Sequence, residues 1–264
     1  MGIRVLVSGS GKMGSEVLAA LCHEAGLEPV GVVDLFANGD LIALPDGSGT
    51  VPLGSDATAL IEETRPDVAV DFSNAEWTPT LAGAALAAGV RLVIGTTGLT
   101  DTFLKDLDEE CSRRKLGAVV APNFAIGAVL MQHMSALAAE YYEYAEIIEL
   151  HHEGKADAPS GTSLATAKAM AAGREKPFVR APTEKETVPG TRGSDIAGIT
   201  IHSVRLPGLV AHQEVILGGR GETLRIRHDS LGRESFMPGV VMAIRHVMEH
   251  PGLVIGAEQL LGLT

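Results

Sequence analysis

Short apolar runs alternate with helical periodicity through the first half of the chain. Ile3 to Ser8 is an apolar run with two valines, and a helical pattern follows it through Glu24. Pro29 to Val33, Val68 to Phe72, Leu92 to Ile94 and Ala118 to Ala121 repeat the strand signature. Between them Asp56 to Thr64, Thr78 to Ala88 and Asp101 to Arg114 carry helical patterns, the first with Asp56 placed as an N-cap. Strands this apolar, alternating with helices, predict a parallel sheet covered on both faces. Asn38 to Gly54 is rich in Gly, Asp and Pro without a clear period, and reads as a long surface loop with room for one brief strand.

After a long apolar helix pattern from Ala125 to Ala139 the character changes. Ala145 to His151, Ile199 to Arg205, Val210 to Leu217 and Glu222 to His228 read as strands rich in Ile and Val, with glycine turns such as Gly218 to Gly221. A helix from Ser163 to Gly173 and a polar loop through Gly198 separate the first two. Strands joined by hairpin-like turns predict a second domain of α+β type, its sheet mixed and mainly antiparallel. Pro238 to Glu249 then reads as a helix with Pro238 in its first turn, and Gly252 to Leu261 as a short tail. Both are expected to pack on the first domain, so the domains are expected at 1–125 with 234–264, and at 126–233.

The first strand runs directly into Gly9-Ser10-Gly11-Lys12-Met13-Gly14, and a helix follows. In that context GxGxxG is a dinucleotide-binding signal. Gly9 permits a tight turn, Gly11 lets backbone approach a pyrophosphate, and Gly14 lets helix and strand pack closely. The helix start then presents free N–H groups to phosphate. The second strand ends in Asp34, 20 residues past Gly14, where a carboxylate meets ribose hydroxyls. The fold class is therefore α/β, a Rossmann-type dinucleotide-binding domain joined to the α+β domain. Later strand ends carry Asp71-Phe72-Ser73, Gly95-Thr96-Thr97-Gly98 and Ala121-Pro122-Asn123-Phe124, where ligands of such sheets bind. Phe72, Asn123 and Phe124 offer aromatic faces and an amide there.

Composition narrows the partners. Of 264 residues, 45% are hydrophobic and 20% charged, an ordinary globular balance. The net charge of -12 argues against nucleic acid, whose binding rests on phosphate neutralisation. No apolar run is long enough to span a bilayer, and no export signal opens the chain. Cys22 and Cys111 fall in separate helical segments without metal-type spacing, so a reduced cytoplasmic protein is expected. No metal is expected, because HExxH is absent and the paired histidines lack a third ligand.

Those histidines belong to the densest chemistry in the chain, Glu146 to Thr162. Gly154 and Pro159 oppose a continuous helix, so His151, His152 and Lys155 are expected in a loop leaving a strand. Lysine donates a proton where its surroundings favour the neutral amine, and histidine polarises or exchanges protons near neutral pH. Ser160-Gly161-Thr162 opens the next helix and offers hydroxyls and N–H groups to a carboxylate.

GSGKMG, DFS, GTTG, APNFAIGA and ELHHEGKADAPSGT, in this order and spacing, closely resemble the dihydrodipicolinate reductase family of lysine and diaminopimelate biosynthesis. The resemblance covers essentially the whole chain. It implies that Gly9, Gly11, Lys12, Met13 and Asp34 meet the adenosine and pyrophosphate side of a nicotinamide cofactor, and Gly95, Thr97, Ala121 and Phe124 its nicotinamide side. It implies His151 and Lys155 as the catalytic pair, with Lys155 the proton donor, and His152, Ser160, Gly161 and Thr162 as holders of the substrate carboxylates. It also implies homotetramers joined through the sheets of the second domain. Leu35, Phe36 and Ala37 follow Asp34 where the family often has a basic residue, which favours NADH, while Lys12 keeps NADPH open. Closure of two domains about hinges near Phe124 and Arg233 is a further expectation. A semialdehyde dehydrogenase would need a nucleophilic cysteine at a strand end, and a nucleotide-sensing regulator a DNA-binding module. The chain offers neither.

Overall fold

A computed structural model describes residues 2–263. In chain order it forms β1 (Ile3–Ser8), α1 (Lys12–His23), β2 (Leu27–Val33), β3 (Leu41–Ala43), β4 (Thr50–Gly54), α2 (Ala57–Thr64), β5 (Val68–Asp71), α3 (Thr78–Ala87), β6 (Arg91–Ile94), α4 (Asp101–Arg114) and β7 (Gly117–Val120). Then come α5 (Ile126–Ala139), β8 (Tyr144–His151), α6 (Gly161–Ala172), β9 (Ser194–Ile196), β10 (Ile199–Arg205), β11 (Ala211–Gly219) and β12 (Glu222–Ser230), followed by α7 (Met237–Glu249) and β13 (Gly252–Ile255). Contacts divide the chain into two units. One holds the residues up to Ile126 together with those from Arg233 onward, the other Gly127–Gly232.

The first unit is built on an eight-stranded sheet in the order β13-β7-β6-β5-β1-β2-β4-β3. Every residue of β5 and β7 is buried, as are the last four of β1 and β2. Central strands covered on both faces have no solvent side to mark with polar residues, which is why their sequences are continuous apolar runs. Leu6, Leu81, Leu92, Ile94 and Cys111 belong to one buried cluster that binds β1 and β6 to α3 and α4. The cysteine serves there as a small apolar side chain, its thiol pKa pushed up to about 11 chiefly by burial.

Two expectations for this unit are corrected. Asn38 to Gly54 holds a hairpin, not a loop with one strand at most: β3 pairs antiparallel with β4, and β4 pairs parallel with β2. Gly252 to Leu261 is no mere tail, because β13 pairs parallel with β7 from Gly252 opposite Gly117 to Ile255 opposite Val120. These strands are three to five residues long; β3 and β13 are the sheet's two edges and β4 lies next to one of them. So few positions, with hardly any of them fully buried, carry too little periodicity to be read.

The second unit carries a five-stranded sheet in the order β12-β11-β8-β10-β9. Only the β8–β10 pairing is parallel; the other three are antiparallel. The polar loop expected through Gly198 contains β9, another short edge strand, paired with β10. Ala145, Ile147, Val215 and Leu217 share one face of the sheet and pack with Ala167 and Met170 of α6. Alternation along β8 puts Glu149 and His151 on that same face, because residues two apart in a strand point the same way.

Candidate active site

The carboxyl ends of β1, β2, β5, β6 and β7 gather the glycine loop and the later strand-end segments within the first unit. Gly9 has φ of +95°, in the region that favours glycine, and its N–H donates to Val33 O at 2.8 Å. A Cβ on Gly14 would stand 1.8 Å from Gly9 O, so no other residue lets α1 pack on this turn. Gly11 is the N-cap of α1 and supplies no side-chain acceptor, which leaves first-turn N–H groups for a ligand. Lys12 and Met13 form that first turn.

Asp34 stands beside the same loop. Its Oδ2 accepts from Ser10 N at 2.7 Å and Ser10 Oγ at 2.6 Å, and its Oδ1 from Phe36 N at 2.9 Å. Burial raises the pKa of this carboxyl, but the three hydrogen bonds outweigh it, so the group lies below the ordinary carboxylate range. An anion-accepting helix start and an ionised acceptor thus flank one turn. That set fits a dinucleotide, with N–H donors at Gly11 to Met13 that could hold a phosphate and an acceptor at Asp34 that could hold hydroxyls.

At the next strand ends, a Cβ on Gly95 would lie 2.0 Å from the Phe72 ring. Phe72 meets Phe124 edge-on, ring centroids 5.8 Å apart, and Phe124 and Ala121 are buried. Asn123 turns its amide oxygen to Ala125 N at 2.9 Å, so that side chain shapes its own turn. Thr97 is exposed. Asp71, which drew no attention beyond its strand end, proves to be a buried hub. It accepts from Ser73 Oγ at 2.6 Å, Thr78 Oγ1 at 2.5 Å and Thr96 Oγ1 at 2.9 Å, tying the ends of β5 and β6 to α3.

In the second unit His151 is the last residue of β8, not a loop residue, while His152 and Lys155 lie in the turn beyond. Lys155 N donates to His152 O at 3.2 Å, and its ammonium lies 2.6 Å from Asp157 Oδ1. Ser160 caps α6: its hydroxyl accepts from Ser163 N at 3.1 Å, and Ser163 Oγ returns a bond to Ser160 O. Its side chain is thus occupied in capping, and the N–H groups of Gly161 and Thr162 are the ones helical geometry leaves without partners.

Two residues in this unit were not singled out from the sequence. Glu149 is fully buried, and Arg205 binds both of its oxygens, at 2.9 and 2.8 Å. His151 Nδ1 lies 2.5 Å from Glu149 Oε2, and Ser160 N donates to Oε1 at 3.3 Å. The buried face of β8 could have pointed to the glutamate, since a carboxylate inside a strand demands a cation. Among the described residues no group of His, Cys, Asp and Glu could hold a metal ion, and no helix is long and apolar enough to cross a membrane.

A glycine turn opening a helix, an acid at the second strand end, and a parallel sheet built around both define a nicotinamide-dinucleotide-dependent oxidoreductase of Rossmann type. Comparison with known proteins names the family. Residues 3–124 match the model of the dihydrodipicolinate reductase N-terminus, and residues 127–261 that of its C-terminus. The chain is 46% identical over 262 residues to the 4-hydroxy-tetrahydrodipicolinate reductase of Dehalococcoides mccartyi, with 99% of each chain covered. It is 47% identical to that of Geobacillus thermodenitrificans, over 99% of this chain and 100% of the relative. Among solved structures it is similar to a dipicolinate-bound dihydrodipicolinate reductase from Paenisporosarcina sp. TG-14, with a TM-score of 0.89, 44% identity and coverage of 98% and 99%. The chain belongs to the dihydrodipicolinate reductase family. An amine dehydrogenase from Mycobacterium smegmatis, 17% identical with a TM-score of 0.66, shares the fold.

Proposed function

We propose that this chain reduces 4-hydroxy-tetrahydrodipicolinate to tetrahydrodipicolinate, with loss of water, in lysine and diaminopimelate biosynthesis. The observation that carries the reading is the full-length relationship to reductases of that name, in both halves of the chain. The first unit is the dinucleotide-binding domain and the second the substrate domain.

The nicotinamide cofactor, when bound, supplies the hydride. The chain's own residues do the rest. Gly9, Gly11, Lys12, Met13 and Gly14 hold the pyrophosphate side and Asp34 the ribose. Phe72, Gly95, Thr97, Ala121, Asn123 and Phe124 seat the nicotinamide end. His152 and the Ser160-Gly161-Thr162 turn hold the substrate carboxylates, the turn through the free N–H groups of Gly161 and Thr162 and the Thr162 hydroxyl, with Ser160 fixing the helix start; the Paenisporosarcina relative binds a dicarboxylate, dipicolinate, which supports this. Lys155 delivers a proton to the carbon beside the one that receives hydride, and His151 orients and polarises the substrate. Exposed Leu35 and Phe36, the latter 88% exposed, put no cation beside Asp34 and favour NADH. A preference of more than about tenfold for NADPH in dissociation constants would overturn that choice.

The chain works in the cytoplasm as a homotetramer joined through the second unit's sheet. In support, Ile148, Leu150 and Ile216 lie on the face opposite to the α6-packed one and are half-buried. Sedimentation of the intact protein as a monomer would refute the tetramer. For the reaction itself, the substrate is generated from pyruvate and aspartate semialdehyde by a synthase, and NADH or NADPH absorbance is followed. Steady loss of absorbance is expected, and no turnover with either cofactor would end the assignment.

A further inference from the structure

One carboxylate ties together three segments of the second unit. Glu149 reaches from β8 to Arg205 on β10, to the backbone of Ser160 at the start of α6, and to the ring of His151 on its own strand. Arg205 also donates to Asp157 O at 2.7 Å, so the same guanidinium holds the segment that carries Lys155 and Asp157. Burial alone would raise the Glu149 pKa. Hydrogen bonds from Arg205, Ser203 and His151 outweigh it, and the group stays below its ordinary value. An ionised carboxylate only accepts, so the proton in the 2.5 Å contact belongs to His151 Nδ1.

We propose that Glu149 is a positioning residue, which holds neutral His151 as the Nδ1–H tautomer and leaves Nε2 as the atom that meets the substrate, with Arg205 keeping the carboxylate in place. The proposal rests on His151 being catalytic, and goes beyond that reading by assigning the reactive atom and the residue that selects it. A ring nitrogen bound to a fixed anion cannot turn to the substrate, whereas the opposite nitrogen stays free. The charged groups acting on the ring are Glu149 on β8, Arg205 on β10 and Lys155 beyond the strand, the last paired with Asp157; β11 places uncharged Ala211 opposite His151. Burial holds the His151 pKa below 6.5, helped by the Lys155 and Arg205 cations and opposed by Glu149. The neutral ring, for which a tautomer is defined, is therefore the species near neutral pH.

The test is nuclear magnetic resonance of the intact 15N-labelled protein, correlating ring nitrogens with ring protons, with the His151 signals assigned by their loss in His151→Gln. The expected wild-type result is a protonated Nδ1 and a bare Nε2. In Glu149→Gln, whose amide no longer demands a donor, the Nε2–H form should become populated. Turnover in that variant should fall about ten- to a hundredfold, with cofactor affinity within about twofold of wild type and Glu149→Asp recovering part of the loss. A wild-type ring in the Nε2–H form overturns the proposal even if no Glu149 variant folds. So does an unchanged tautomer together with unchanged turnover in Glu149→Gln. Full turnover in His151→Gln would instead remove the catalytic reading of that histidine, a failure the tautomer measurement keeps separate.

Discussion

Lys155 pairs with Asp157 in an ion pair whose lysine is 21% and whose aspartate is 60% exposed. The aspartate's pKa is lowered chiefly by that hydrogen bond, and the pair directs the lysine side chain within the loop. Replacing Lys155 by Ala removes the proposed proton donor while leaving the first unit untouched. Turnover should then fall by about a hundredfold or more, with NADH affinity measured by fluorescence titration unchanged. Wild-type turnover would take the lysine out of the mechanism. At this scale the sequence is legible where the residues that meet are neighbours: His151, Lys155 and Ser160 lie within ten positions, and Gly9 and Gly14 within six. Arg205 is 56 positions from Glu149, and Thr96 is 25 from Asp71. No spacing rule connects such partners, because strand pairing decides which of them meet.

Elements follow the same division. The helix starts are written in nearby residues, and α2 is a clear case: Asp56 Oδ1 accepts from Thr58 N at 2.9 Å and from Ala59 N at 3.1 Å. Asp56→Ala strips both partners from that turn, and the expected cost is about 1 kcal/mol. A lower denaturant midpoint at unchanged slope would register it, while an unmoved midpoint would show that packing alone holds α2. The α6 start differs, since Ser160 and Ser163 exchange hydrogen bonds and the backbone N–H of Ser160 also reaches Glu149. Strands divide by length and place. Long or central strands announce themselves by apolar runs, whereas β3, β9 and β13 are short edge strands whose pairing is visible only once their neighbours are in place.

For the whole molecule, acid is the natural stress. His151, His228 and His246 all have pKa values below 6.5, in each case chiefly because burial disfavours the charged ring. Between the folded value and 6.5 the unfolded chain binds more protons than the folded one, so stability falls as pH drops through that window. Glu149, Glu146 and Asp229 have lowered carboxyl values, in which hydrogen bonds from Arg205, His202 and Arg227 take part. Their contribution is complete above the unfolded carboxylate range and is lost as pH falls toward the folded values. The two sets act in succession and with the same sign. Thermal unfolding should therefore move to lower temperature from about pH 7.5 to about pH 5.5, and further near pH 4. A midpoint that is flat or rises over the first interval would contradict the burial of these histidines.

The sequence by itself determined what neighbours within a few positions decide. Gly14 is required because a Cβ there would strike Gly9 O, and Asp56 starts α2 because its own carboxylate reaches the next N–H groups. The central strands are apolar because both their faces are covered. Only the tertiary structure decided which carboxylate holds which cation. Glu149 lies two residues before His151 in plain sight, yet it is a hub because pairing of β8 with β10 sets Arg205 opposite His151 and closes the guanidinium on the buried acid. Burial makes such a partner obligatory, and pairing across the chain selects which residue it is.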